Sequence, residues 1–426
     1  MTSILACVAT LAATIALTPA AANDHTLTPE QQTLTWSGSF NAEHILTPVP
    51  DARCLEGACH RSPVVLALGE GFWEPTSGAV EVAIRWTYDF VTDLDLVVTG
   101  PDGSEVARSE AVDSNAESVF ITEPADGTYE VTVIPTNTFN PEGGPASFPY
   151  DVLVQVEPTS EPGPGHDLLP DLASLPPHNF HVSSAANLLP FPENPLMSCY
   201  AEETIESERH PTKCLRFDQT IANIGQGKLE LRFAIDGAAT DHRMIQRIYA
   251  DDGSHRDVFA DEYELHVVHG HVHYRGFGQS FLYPFDWGSG RTGDGTPATT
   301  GNKVGFCVID VLLLDGYWGA TGNGPRAHTF PTCNVPSEVD DRAWMVQGID
   351  VGWADVYGWN LADQYIDISD VPDGVYELEQ VANPNGSVIE ITDANNRAST
   401  IICIAGDEVT EVRSAADAAA CAAGPY

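Results

Sequence analysis

The chain has 426 residues, too many for one ordinary core, and this points to two domains. Its 61 acidic against 19 basic side chains give a formal charge of −42. A surface of that sign makes nucleic acid a poor partner. It suits either plain solvation in saline surroundings or attraction of cationic amines and basic proteins, the latter blunted by salt. Lysine is confined to Lys213, Lys228 and Lys303.

Residues 1–22 read as a signal peptide, with an apolar run from Ile4 to Leu17 and a small-residue cleavage site at Ala20-Ala21-Ala22. The expectation is a secreted, extracellular protein with no membrane span, since no other stretch is long and apolar enough to cross a bilayer. Of nine cysteines, Cys7 leaves with the signal. The remaining eight suggest four disulfides in an exported chain, and sequence neighbours suggest 54–59, 199–214, 307–333 and 403–421.

Residues 23–62 are expected to be irregular. From 63 to 157 short alternating runs predict an antiparallel β-sandwich. Examples are Val80 to Trp86, Leu94 to Val98 before the Gly100-Pro101-Asp102-Gly103 turn, and Tyr129 to Ile134 after Asp126-Gly127. The run DLDLVVTGPDG followed by DGTYEVTVIP resembles the pre-peptidase C-terminal type of sandwich, which implies an accessory role such as cell-surface or matrix contact. Asp93 and Asp95 share one strand face, an arrangement open to calcium but ordinary for carboxylates flanking a turn. Residues 158–167 are a Pro/Gly linker. Residues 168–426 form a second β-rich unit with long loops, whose strand-like runs include Cys214 to Ile221, Lys228 to Phe233, Val304 to Leu314 and Ser387 to Ile391. The fold class expected is therefore all-β.

The chemistry concentrates in the second unit. Four of 14 histidines fall between His266 and His273. On one strand His269, His271 and His273 point to the same face, and His266 has the opposite parity. A straight strand would separate the outer two by about 13 Å, so convergence on one ion requires a bend, which Gly270 permits. Imidazole ligation suits copper or zinc, and the spacing does not choose between them. Zinc hydrolysis would need a nearby carboxylate, for which Glu264 is the nearest candidate. Lys303 leads into an apolar run in which an isolated ammonium is costly. Tyr357 lies in Asp355-Val356-Tyr357-Gly358.

Together these motifs resemble the lysyl oxidase family over about 240 residues, from Leu169-Pro170-Asp171-Leu172 to Pro425-Tyr426. The carried motifs are His269-x-His271-x-His273, Lys303-x-x-Phe306-Cys307, Asp355-x-Tyr357-Gly358, Gln364 to Asp370, Asn395-Asn396, and Leu215-Arg216-Phe217 with Ala222-Asn223-x-Gly225. The resemblance implies copper on His269, His271 and His273, and lysine tyrosylquinone made from Lys303 and Tyr357. It further implies a secreted copper amine oxidase of the protein-lysine 6-oxidase type. Primary amines, peptidyl or free, would be oxidised by O2 to aldehydes with release of ammonia and hydrogen peroxide. Asp355 is the candidate base. The chain departs from the animal pattern at Trp353, Asp363 and Val268, where cysteines stand in those relatives. The alternative is a non-catalytic secreted metal-binding adhesion protein.

Overall fold

The computed structural model describes residues 25–422 except 43–44, 47–58, 75–77, 88–91, 112–113, 139–145, 159–162, 185–198, 200–210, 235–242, 267–270, 302, 304, 319–327, 334, 340–341 and 362. The expected signal peptide, Cys54 and His269 lie outside these residues. Among them the regular structure is nearly all strand, with one α-helix, Ala415–Ala422, and a single 3-10 turn at Asp315–Tyr317. Among the described residues no helix is long and apolar enough to cross a membrane.

The N-terminal part is two sheets packed face to face. In one, Gly127–Thr138 pairs with His60–Leu66 and with Asp93–Thr99; in the other, Ala146–Pro158 lies between Thr33–Ala42 and Gly78–Trp86. Alternate side chains from both sheets fill the core, among them Val82, Ile84, Leu94, Leu96, Val131 and Val152. Almost every pairing is antiparallel, the exception being Thr26–Leu27, which runs parallel to Val65 and Leu66.

One expectation is corrected here. The segment expected to be irregular, residues 23–62, contributes a ten-residue strand, Thr33–Ala42, paired with the whole of Gln155 to Ala146. Leu34, Trp36 and Phe40 alternate inward onto the sandwich core, so the period-two signal was present and only its polar partners (Thr33, Thr35, Ser37, Ser39) disguised it.

The second part has three sheets. The strand that positions the candidate site is Trp353–Tyr357, all five residues buried, lying between Lys213–Asn223 and the two-residue strand Leu312–Leu313. Cys214 to Ile221 falls within one strand and most of Lys228 to Phe233 within another, Leu229–Ala234. The runs at Val304 to Leu314 and Ser387 to Ile391 do not form long strands. The first holds only Leu312–Leu313, and in the second Ile389 N–H instead donates to the Gln246 side chain. Buried apolar residues in both runs fill core positions without a ladder, which apolar run length alone cannot distinguish from a strand.

Disulfides join Cys199 to Cys214, Cys307 to Cys333 and Cys403 to Cys421. Cys59 is also disulfide-bonded. Gly163 N–H donates to Asp251 C=O at 2.7 Å, and Gly165 and His166 N–H both donate to the Asp251 carboxylate, so the end of the Pro/Gly stretch is tied to the second unit.

Candidate active site

Lys303, Tyr357 and Asp355 come from two different segments, and the fold brings them together. Lys303 Nζ stands 4.9 Å from the centroid of the Tyr357 ring and 5.4 Å from that of Phe306. The two rings meet edge to face at 4.9 Å. The ammonium therefore sits against two π faces, which attract a cation electrostatically. Tyr357 is 9% exposed, and its hydroxyl is clamped by one residue: it donates to Cys307 C=O at 2.7 Å and accepts from Cys307 N–H. Cys307 is in turn fixed by its disulfide to Cys333.

Asp355 follows from the same strand, 2% exposed, with Oδ2 lacking a hydrogen-bond partner. Burial pushes its carboxyl well above the usual range, offset in part by Lys303 and by backbone N–H groups of Ile309 and Val356. Such a group is a strong base once ionised.

The described part of the histidine run lies on two paired strands, which places His266 and His271 on different strands. His255–His266 and His271–Tyr274 pair antiparallel, with His266 opposite His271 and Glu264 opposite His273. His271 keeps its place beside His273 in register. His269 falls between the paired strands, outside the described residues. Among the described residues no group of three or more His, Cys, Asp or Glu is arranged to hold a metal ion.

His273 links the hairpin to the lysine segment. It is 5% exposed, and its ring lies so close over Gly305 that a Cβ there would stand 2.5 Å from Nδ1. One residue on, Tyr274 and Phe306 exchange backbone hydrogen bonds of 2.8 and 3.1 Å. The histidine strand thus abuts the segment that carries Lys303 and clamps Tyr357. A buried imidazole seated on bare backbone, within a run of imidazoles and beside a lysine–tyrosine pair, fits a copper site with a tyrosine-derived quinone.

Residues that sequence reading did not single out are Gly305, Phe306 as a ring facing Lys303, and the Cys307 backbone. The loop after Tyr357 has two further anchors on Lys213–Asn223. Trp359 N–H donates to Asp218 Oδ1 at 2.7 Å, and the buried Arg216 guanidinium donates to Leu361 C=O at 2.5 Å. Burial lowers Arg216 to about 10, and Tyr365 and Asp363 pull it back up. Asn395 and Asn396 do structural work. Their amides donate to Asp171 and Glu390, which holds Leu172–Ser174 against the C-terminal strands.

Comparison with known proteins covers part of this arrangement. The lysyl oxidase family model matches residues 332–414, and the bacterial pre-peptidase C-terminal domain model matches residues 71–135. Asp355 and Tyr357 lie inside the first match; Lys303 and the histidine hairpin precede it. The chain is 33% identical over 103 residues to lysyl oxidase homolog 2 of Gallus gallus, covering 24% of this chain and 11% of that protein. It is 30% identical over 131 residues to lysyl oxidase homolog 3 of Homo sapiens, covering 31% and 14%. Lysyl oxidase homolog 3B of Danio rerio is 30% identical over the same length, with 31% and 13% covered. The aligned stretch thus spans only 11 to 14% of these relatives. These matches give the chain a lysyl-oxidase-like region at residues 332–414 and a region similar to the pre-peptidase C-terminal type at residues 71–135.

Proposed function

We propose that the protein is a secreted copper-dependent amine oxidase that converts primary amines, peptidyl lysine or free amines, to aldehydes. The net reaction consumes one amine, one O2 and one water, and yields aldehyde, ammonia and hydrogen peroxide. The observation that carries this reading is the Lys303 Nζ poised 4.9 Å over the Tyr357 ring.

His269, His271 and His273 would hold copper, which with O2 supplies oxidising equivalents for the Tyr357 ring; the Lys303–Tyr357 quinone would supply an electrophilic carbonyl and a two-electron sink. The protein's own residues do the rest. Cys307, gripping the hydroxyl by both its N–H and its C=O, fixes the far end of the ring in place. Phe306 and the Tyr357 ring hold the amine of Lys303 above the carbons it must reach. Asp355, buried and with Oδ2 unengaged, would take the α-proton of the substrate. Apolar packing of Phe306, Tyr274 and Trp353 keeps bulk water from the Tyr357 ring. The acidic surface attracts cationic amines at low ionic strength.

Peptide mass spectrometry of copper-loaded protein tests the reading. Lys303 and Tyr357 should appear in one cross-linked species, and amine-dependent peroxide release should vanish in Lys303→Ala. Recovery of the two peptides separately from protein that retains copper would reject it and favour a non-catalytic metal-binding protein.

A further inference from the structure

Part of the outer face of the four-stranded sheet in the N-terminal sandwich is shut off from water. Val80, Val82, Ile84 and Trp86 point into the sandwich core, so Glu81, Ala83 and Arg85 between them point outward. Yet Glu81 and Ala83 are 2% and 3% exposed, and Leu153 and Gln155 on the adjacent strand are 2% and 0% exposed. Part of the cover comes from the lysyl-oxidase-like unit: Leu313, Tyr317, Trp318 and Trp353 line one narrow crevice with Ala83, Ala116 and Leu153.

The contacts are directional as well as apolar. Leu313 N–H donates to Asn115 Oδ1 at 2.8 Å in a buried setting. Arg85 pairs with Asp315 at 3.2 Å and lies over the Trp318 ring at 4.8 Å. Ala116, from the sandwich, belongs to the same buried cluster as Leu313, Trp353 and Tyr357. Leu312–Leu313 is an edge strand of two residues, and its partners are Ala354 and Trp353. So short an edge has few bonds of its own, and its far side is held by the sandwich.

We propose that the sandwich is a clamp on the candidate site rather than a tethered module. By pinning Leu312–Leu313 from outside, it fixes the strand Trp353–Tyr357, whose inner end presents Asp355 and Tyr357. What the clamp serves rests on the amine oxidase reading; the clamp itself does not.

The test uses the full chain with a protease site placed in the Pro/Gly linker at residues 159–162. After cutting, the two pieces of the wild type should co-elute on gel filtration, and those of Ala116→Arg should separate. Hydrogen exchange is then compared in the uncut chains. In Ala116→Arg the amides of 312–318 and 353–357 should exchange about tenfold faster, with Gly278–Asp286 unchanged. Arg85→Ala, which removes the ion pairs to Asp151 and Asp315 and one ring contact, should give a smaller change at the same peptides. Separation of the cut wild-type pieces, or unaltered protection of 312–318 and 353–357 in both variants, overturns the proposal. Absence of the Lys303–Tyr357 cross-link in the intact wild type would sink the oxidase reading alone, because elution and exchange do not depend on it.

Discussion

The imidazole of His273 rests on the backbone of Gly305, where a Cβ would stand 2.5 Å from Nδ1 and 3.0 Å from Cγ. Even a methyl group must therefore displace the ring. Gly305→Ala is expected to leave the fold intact and to weaken copper binding by about 10- to 100-fold, the usual cost of disturbing groups that orient a metal ligand. Competition against a chelator measures it. Wild-type affinity in the variant would show that His273 is not a ligand.

Why the sequence disclosed some of this and not the rest follows from the range of the interactions. Strand alternation is local, so Val80 to Trp86 and Tyr129 to Ile134 were legible as sandwich strands, and neighbouring cysteines correctly suggested 199–214, 307–333 and 403–421. Thr33–Ala42 carried the same alternation, with small polar residues outward that made it look like loop. The pairing of His266 with His271 is not legible in the sequence, because period two says nothing about which strand a segment pairs with. Lys303, Tyr357 and Asp355 were found by motif. The Gly305 cradle, the Cys307 clamp and the docking of Asn115 on Leu313 join residues far apart in sequence, and no local pattern encodes them.

Phe306 has a second face beyond its contact with Tyr357. Its ring centroid lies 5.4 Å from Lys303 Nζ, and the side chain is fully buried. Phe306→Leu keeps most of the apolar volume and removes the quadrupole, worth about 0.5–2 kcal/mol to a neighbouring cation. Lys303 should then sample positions away from the Tyr357 ring, and formation of the cross-link after copper loading should slow several-fold. The measurement is the time course of cross-linked peptide by mass spectrometry. An unchanged rate would mean that Tyr357 alone positions the lysine.

The Cys307–Cys333 bridge closes a loop of 26 residues and anchors the one residue that holds the Tyr357 hydroxyl. Chain-entropy arguments put the stabilisation from a loop of that length at about 3–4 kcal/mol. Cys333→Ser should lower denaturant stability by about that amount. The Tyr357 phenol, no longer held against a fixed backbone, should also give less cross-link at equal copper occupancy. Loss of stability with full cross-link yield would confine the disulfide to a folding role.

Asp310 and Asp350 form a buried carboxyl pair, 1% and 0% exposed. Asp310 accepts from the N–H of Asp350 at 2.7 Å and of Phe330 at 3.0 Å, and Asp350 accepts from Thr329 N–H at 2.7 Å. Burial raises Asp350 from 3.8 to about 6. Burial and then the charge of Asp350 hold Asp310 well above its usual value. Because these folded-state values exceed the unfolded ones, the folded chain retains protons that the unfolded chain has released. The resulting stabilisation is fully present below about pH 4 and is lost as pH rises through about 6. Asp350→Asn keeps an acceptor for Thr329 and removes one titrating group. Its unfolding free energy should therefore fall less steeply between pH 4 and pH 7 than that of the wild type, as read by denaturant titration at fixed salt. Parallel curves for the two proteins would show that Asp350 titrates alike in both states.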